Sequence, residues 1–167
     1  MIEILVNIRF GLLWMIPISI LITIYFGIRK MSNEKYKNKA IIALISIFVI
    51  PILVLFYNAL LASVIVSDIK NNVKTAGLNN NEILLNQKET DLTIEDVHEV
   101  LQKLNFFHTR NHTHDLERYK ITIVSETKNY SFSFYRDSGN ENLYWLYTDE
   151  YNYELELTNV NTNIFKE

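Results

Sequence analysis

The stretch Arg29-Lys30-Met31-Ser32-Asn33-Glu34-Lys35-Tyr36-Lys37-Asn38-Lys39 carries five cationic side chains and one acid, and a long apolar run stands on either side of it. The first run covers residues 10–28 and the second residues 40–66. A helix needs roughly 20 apolar residues to cross a hydrocarbon core of about 30 Å, and both runs are long enough. The pattern predicts a membrane α-helical hairpin over residues 1–67, two transmembrane helices joined by the basic turn 29–39. A cleaved signal peptide would carry its charge ahead of a shorter core; here the stronger basic flank follows the run, as in an anchor.

Orientation follows from the distribution of Lys and Arg. The outer flanks offer only Glu3 and Arg9 on one side and Asp68, Lys70 and Lys74 on the other. Loops rich in Lys and Arg stay in the cytoplasm. The expectation is therefore a multi-pass protein of the cell membrane, with loop 29–39 cytoplasmic and both termini extracytoplasmic.

Each run contains one proline. Pro17 precedes Arg29 by 12 residues and Pro51 follows Lys39 by 12, so both lie about 18 Å from the basic turn at 1.5 Å per residue. Kinks at matched depth let two helices follow each other's bend, which makes Pro17 and Pro51 the candidate kink pair. Ser19, Thr23 or a neighbouring helix can satisfy carbonyls that a proline frees. Asn58 is expected near the far membrane surface beside Tyr57, the alternative being a hydrogen bond across the helices.

The net charge of −3 conceals two unlike halves. Residues 1–67 hold six bases against Glu3 and Glu34, a net of +4; residues 68–167 hold ten bases against seventeen acids, a net of −7. A domain at −7 lacks the basic face that nucleic acid requires, so no nucleic-acid partner is expected. The chain has no cysteine, which excludes disulfides, thiolate metal sites and cysteine nucleophiles. Its wealth of Ile, Asn and Lys points to an AT-rich, bacterial source.

Residues 68–90 read as a polar juxtamembrane spacer, with a helix stop at Gly77 and a short edge strand at Glu82-Ile83-Leu84-Leu85. Residues 91–167 read as an extracytoplasmic α+β domain. Thr93 is a good N-cap, with Asp96 three residues on forming an imperfect capping box, since Glu or Gln is usual there. Ile94, Val97, Leu101 and Leu104 then recur at helical spacing, ending near Asn105. Four alternating segments follow: residues 119–125, 130–136, 143–148 and 151–158. They predict one amphipathic helix packed on a four-stranded antiparallel meander. The register that puts every large apolar residue on one face pairs Arg136 with Leu143, Phe134 with Trp145, Trp145 with Tyr153, and Ile123 with Phe132. Roughly 75 residues without disulfides is close to the lower limit for an independent core.

That register leaves Tyr135, Tyr144, Leu146, Glu154 and Glu156 on the opposite face. Tyrosines on a rigid acidic sheet are the kind of surface on which a protein partner docks. The loop His108-Thr109-Arg110-Asn111-His112-Thr113-His114-Asp115 offers His108, His112, His114 and Asp115 as weak metal ligands. Its spacing matches no known site and Arg110 would repel a cation, so no metal or other cofactor is expected. Residues 137–142 superficially resemble a calcium loop but lack the ligand spacing of one, and are read as a hairpin turn. No nucleophile elbow or phosphate-binding glycine loop occurs, and the expectation is a protein that is not an enzyme. The reading is a membrane-anchored protein-binding module displayed outside the cell, in its concrete form an immunity or inhibitor protein against an exported toxin or bacteriocin. The alternative is an accessory or sensory subunit of an envelope or secretion complex, recognised through its transmembrane helices.

Overall fold

The computed structural model describes residues 1–78, 82–105, 117–124, 129–151 and 156–165. The chain divides into two compact units, Met1–Leu61 and Ala62–Glu167.

The first unit holds helix α1 (Ile2–Ser32), a 3-10 turn (Glu34–Tyr36) and the beginning of helix α2 (Lys37–Leu78). The helices are long and apolar enough to cross a membrane, with mean hydropathies of 2.1 and 2.9 over their most apolar windows. The basic turn is compact because Asn33 caps it, its side-chain oxygen accepting from the Lys35 amide at 3.0 Å. Polar groups face inward between the helices. Arg9 Nε donates to Asn58 Oδ1 at 2.9 Å, and Tyr57 Oη donates to the Leu5 carbonyl at 2.8 Å. The Thr23 hydroxyl lies 2.8 Å from both the Ser19 and Ala43 carbonyls, its single proton serving either. Asn58 thus takes the cross-helix bond. Pro17 and Pro51 both sit inside unbroken helices. The Arg9–Asn58 and Thr23–Ala43 contacts lie on either side of them along the helices.

The second unit begins within α2. Ala62, Ile65, Val66, Ile69, Val73 and Ala76 recur every three or four residues and are all buried, the stripe by which an amphipathic helix joins a core. The second apolar run is therefore divided: residues 62–66 belong to this unit, and residues 40–61 remain, a length of about 33 Å. Residues 68–78 continue the helix, and residues 82–89 carry strands β1 (Glu82–Leu85) and β2 (Lys88–Glu89). Helix α3 (Ile94–Gln102) starts with the expected capping box: the Thr93 hydroxyl accepts from the Asp96 amide at 3.1 Å, and the Asp96 carboxylate accepts from the Thr93 amide at 3.0 Å. Gly77 allows close approach here, since a Cβ on it would stand 3.3 Å from Ile94 Cγ2.

Strands β3 (Arg118–Val124), β4 (Tyr130–Arg136), β5 (Leu143–Thr148) and β6 (Thr158–Asn161) complete an antiparallel sheet of six strands in the order β2-β1-β3-β4-β5-β6. Strands β3 to β6 thus form one end of a larger sheet, which β1 and β2 extend beyond β3, so that β2 and not the expected segment 82–85 is the edge. The last strand of the meander also differs: the expected strand 151–158 gives way to β6, whose Asn159 pairs with Trp145. Residues 152–155, with Tyr153 and Leu155, lie outside the described residues.

The β4–β5 register differs by one residue from the expected one. Arg136 pairs with Tyr144, Tyr135 with Trp145 and Phe134 with Leu146. The cause is Asp137. Its Oδ1 accepts from the Gly139 and Asn140 amides at 2.8 and 3.0 Å, while its Oδ2 accepts the Trp145 indole N–H at 2.8 Å. Its own amide donates to the Leu143 carbonyl at 2.8 Å, closing a loop one residue shorter. A one-residue slip exchanges the faces of a strand. Tyr144 and Leu146 therefore enter the core, fully buried with Phe132, Phe134 and Ile121, while Trp145 and Tyr147 move to the other face. The β3–β4 register differs by two, pairing Ile121 with Phe132, which leaves the faces unchanged. Phe165 completes this core, stacked on Tyr119 at 4.8 Å.

Candidate functional site

On the face opposite the core, the registers set Arg118 beside Tyr135 and Trp145, and Lys120 beside Ser133 and Tyr147. The Tyr135 and Tyr147 rings meet edge to face at 4.8 Å, and the Arg118 guanidinium lies over the Tyr135 ring at 5.8 Å. Arg118 is held in place from two sides. Its Nη2 donates to Asp149 Oδ1 at 2.8 Å and its Nε to Ser133 Oγ at 3.0 Å, and Ser133 Oγ in turn donates to Asp149 Oδ2 at 2.9 Å. Tyr147 Oη donates to Glu156 Oε1 at 2.9 Å. The result is an aromatic pair with its neighbouring charges fixed, the composition and preorganisation that docking surfaces favour.

The residues singled out in the sequence are dispersed by this arrangement. Tyr135 is half-buried on this face, and Glu156 reaches it through Tyr147. Tyr144 and Leu146 do not belong to it, being buried on the core face for the reason of register given above. Glu154, and the histidine loop with His108, His112, His114 and Asp115, lie outside the described residues. Among the described residues no group of three His, Asp or Glu side chains converges on a metal position. In place of an acidic surface, the described patch is balanced, with Arg118 and Lys120 against Asp149 and Glu156.

A second polar constellation lies within the same unit. Asp68, on the last turns of α2, uses one oxygen, Oδ2, to accept from Tyr151 Oη, from Tyr130 Oη at 3.3 Å and from Asn72 Nδ2 at 3.0 Å. Burial, followed by the neighbouring hydroxyl and carboxylate, holds the Tyr130 phenol far above its usual value of 10. Burial and the Asp68 bond do the same for Tyr151. Both hydroxyls therefore remain protonated donors. The arrangement fastens α2 to β4 and to the turn after β5. Its signal in the sequence is the extension of the apolar helical spacing beyond Val66, with Asp68 and Asn72 one turn apart beside it.

No protein-family model, no curated protein and no solved structure matches the chain.

Proposed function

We propose that the chain is a membrane-anchored protein-binding module whose second unit is displayed outside the cell. The anchoring part of the reading is supported by an inside-out first unit. Trp14, Leu21, Phe48 and Leu55 are each about two-thirds exposed, whereas Arg9 and Ser19 are buried. In water such a surface favours aggregation; in lipid it is the arrangement expected of paired spans. Lys and Arg concentrated in loop 29–39 orient that loop to the cytoplasm.

The observation that carries the binding reading is the Tyr135–Tyr147 pair with Arg118 locked above it. A rigid aromatic pair loses little conformational entropy on docking, and its charges are already positioned. In its concrete form the module is an immunity or inhibitor protein that captures an exported toxin or bacteriocin at the surface. A photo-crosslinking residue in place of Tyr135, compared with one in place of Leu21 or Phe48, tests this in cells. The reading predicts an adduct with an exported protein from the sheet position that is lost in Arg118→Ala. Adducts with an envelope protein from the helix positions alone overturn it.

One observation favours the second reading, an accessory or sensory subunit of an envelope complex. Helix α2 is unbroken from Lys37 to Leu78, and its last turns are core elements of the second unit. The same crosslinks decide between the two.

A further inference from the structure

At the end of the sheet, Asn86, Glu117, Arg118, Tyr119, Arg136, Glu141 and Phe165 line a cavity of about 590 Å³. A second, of about 720 Å³, adjoins it along Asn86, Tyr119 and Phe165 and continues past β2. Both volumes fall in the range of small-molecule sites.

The polar wall of the first cavity is preorganised. Glu117 Oε2 accepts from Tyr119 Oη at 2.8 Å and pairs with Arg136 Nη1 at 3.1 Å. The Arg136 amide also donates to the Glu117 carbonyl. Asn86 is tied twice to β3: its amide donates to the Lys120 carbonyl at 2.8 Å, and its Oδ1 accepts from the Lys120 amide at 2.9 Å. These bonds hold the β1–β2 turn with Asn86 at φ 50° and Gln87 at φ 67°. Positive φ at both residues is what a two-residue hairpin turn requires, and Asn is well suited to it. Behind the wall, the Tyr144 ring lies 5.7 Å from Tyr119 and 5.0 Å from Phe165. Its buried hydroxyl has no hydrogen-bond partner among the described residues, a position that costs about 1–3 kcal/mol in a protein interior.

The chemistry of the wall selects a ligand class. Arg136 is paired with Glu117 and Arg118 with Asp149, so the cavity presents donors and acceptors and little unpaired positive charge, which disfavours phosphate and other anions. An extended peptide needs a strand edge for its backbone, and the free edge at β2 is two residues long. A group that both donates and accepts at each point is a hydroxyl. A ligand made of closely spaced hydroxyls with a C–H face that can lie against the partly exposed Tyr119 ring is a sugar ring. We infer that this cavity binds a neutral carbohydrate, with Asn86, Glu117, Arg136 and Glu141 bonding its hydroxyls and Tyr119 supporting its ring. The cavity shares Arg118 with the Tyr135 surface, but the bonds proposed to the ligand do not use Arg118, and the inference does not depend on the protein-binding reading.

The test uses the full chain in phospholipid nanodiscs, because sugar-headed detergents would compete. Maltotriose, cellotriose and N-acetylated chitotriose are titrated in turn by calorimetry, beside inorganic phosphate and the dipeptide Ala-Ala. At least one trisaccharide is expected to saturate with a Kd of about 1 mM or tighter. Asn86→Ala and Glu117→Gln should each weaken it at least tenfold. In the unaltered protein, sugar protons should give NOEs to Tyr119, so the outcome does not depend on the variants folding. Saturation by none of the three sugars overturns the inference. So does saturation by phosphate or Ala-Ala in their place, or NOEs from residues away from this cavity.

Discussion

Replacing Asp68 with Ala removes an acceptor used by three donors on three elements. The Tyr151 bond to a carboxylate contributes about 2 kcal/mol, and the longer Tyr130 bond and the Asn72 bond about 1 kcal/mol each. Asp68 is only half-buried, so water recovers part of this, and about 3 kcal/mol of destabilisation is expected for the second unit. Against a total of about 5–15 kcal/mol that is a large fraction, and it lowers the melting temperature by at least about 10 °C. The assay is thermal unfolding of the full chain in nanodiscs, read by Trp145 fluorescence in a Trp14→Phe background. Asp68→Asn, which keeps a carbonyl acceptor, should lose roughly half as much. The double variant Asp68→Ala/Tyr151→Phe should be less destabilised than the sum of its parts, because both changes remove one bond. The reasoning is refuted if Asp68→Ala unfolds within about 0.5 kcal/mol of its parent, or if the pair is additive.

Further outcomes follow from the same geometry. Asp137→Ala removes the acceptor of two loop amides and the Trp145 indole, and should cost about 2–4 kcal/mol with a red shift of Trp145 emission; unchanged emission counts against Asp137 as the register-setting residue. Thr93→Ala should cost about 1 kcal/mol through loss of the α3 cap. The Thr93 bonds hold the Asp96 carboxyl below its usual 3.8. The cap's contribution is therefore complete above pH 3.8 and is lost as pH falls through the lowered native value, which an acid titration of unfolding midpoints in the parent and Thr93→Ala will show. Alkali acts in the opposite sense. Burial, assisted by Glu117, pushes the Tyr119 phenol up to about 12, and Tyr130 and Tyr151 are raised as well. Their protonated forms stabilise the fold fully below pH 10, and this is lost as pH rises from 10 through the native values; absorbance at 295 nm should show these tyrosines ionising late, together with unfolding.

The elements legible in the sequence were those with a strong local signal. The helical runs, the Thr93–Asp96 box and strands β3 to β5 all follow from periodicity and capping chemistry. Pattern alone did not determine the β4–β5 register, because residues 143–148 are apolar or aromatic in both alternations: Tyr144 and Leu146 suit a core as well as Leu143, Trp145 and Tyr147 do. A single carboxylate decided it, by shortening the loop at Asp137. The same slip explains the revised site, for it moved Tyr144 and Leu146 inward and brought Tyr147 out beside Tyr135. The second unit also takes part of its core from residues 62–76, where an apolar run long enough for a span concealed the change from one environment to another. Nothing in the local sequence marks the boundary after Leu61; only the partners of Ile65, Ile69 and Val73 in the folded unit do.

The account rests on the second unit lying across the bilayer from loop 29–39, and a chain without cysteines allows that to be measured directly. Lys35→Cys and Gln102→Cys each introduce one thiol at an exposed position, to be treated with a membrane-impermeant maleimide in intact cells. The account predicts labelling of Gln102→Cys in intact cells and of Lys35→Cys only after the membrane is opened. Labelling of Lys35→Cys from outside, with Gln102→Cys protected, contradicts it.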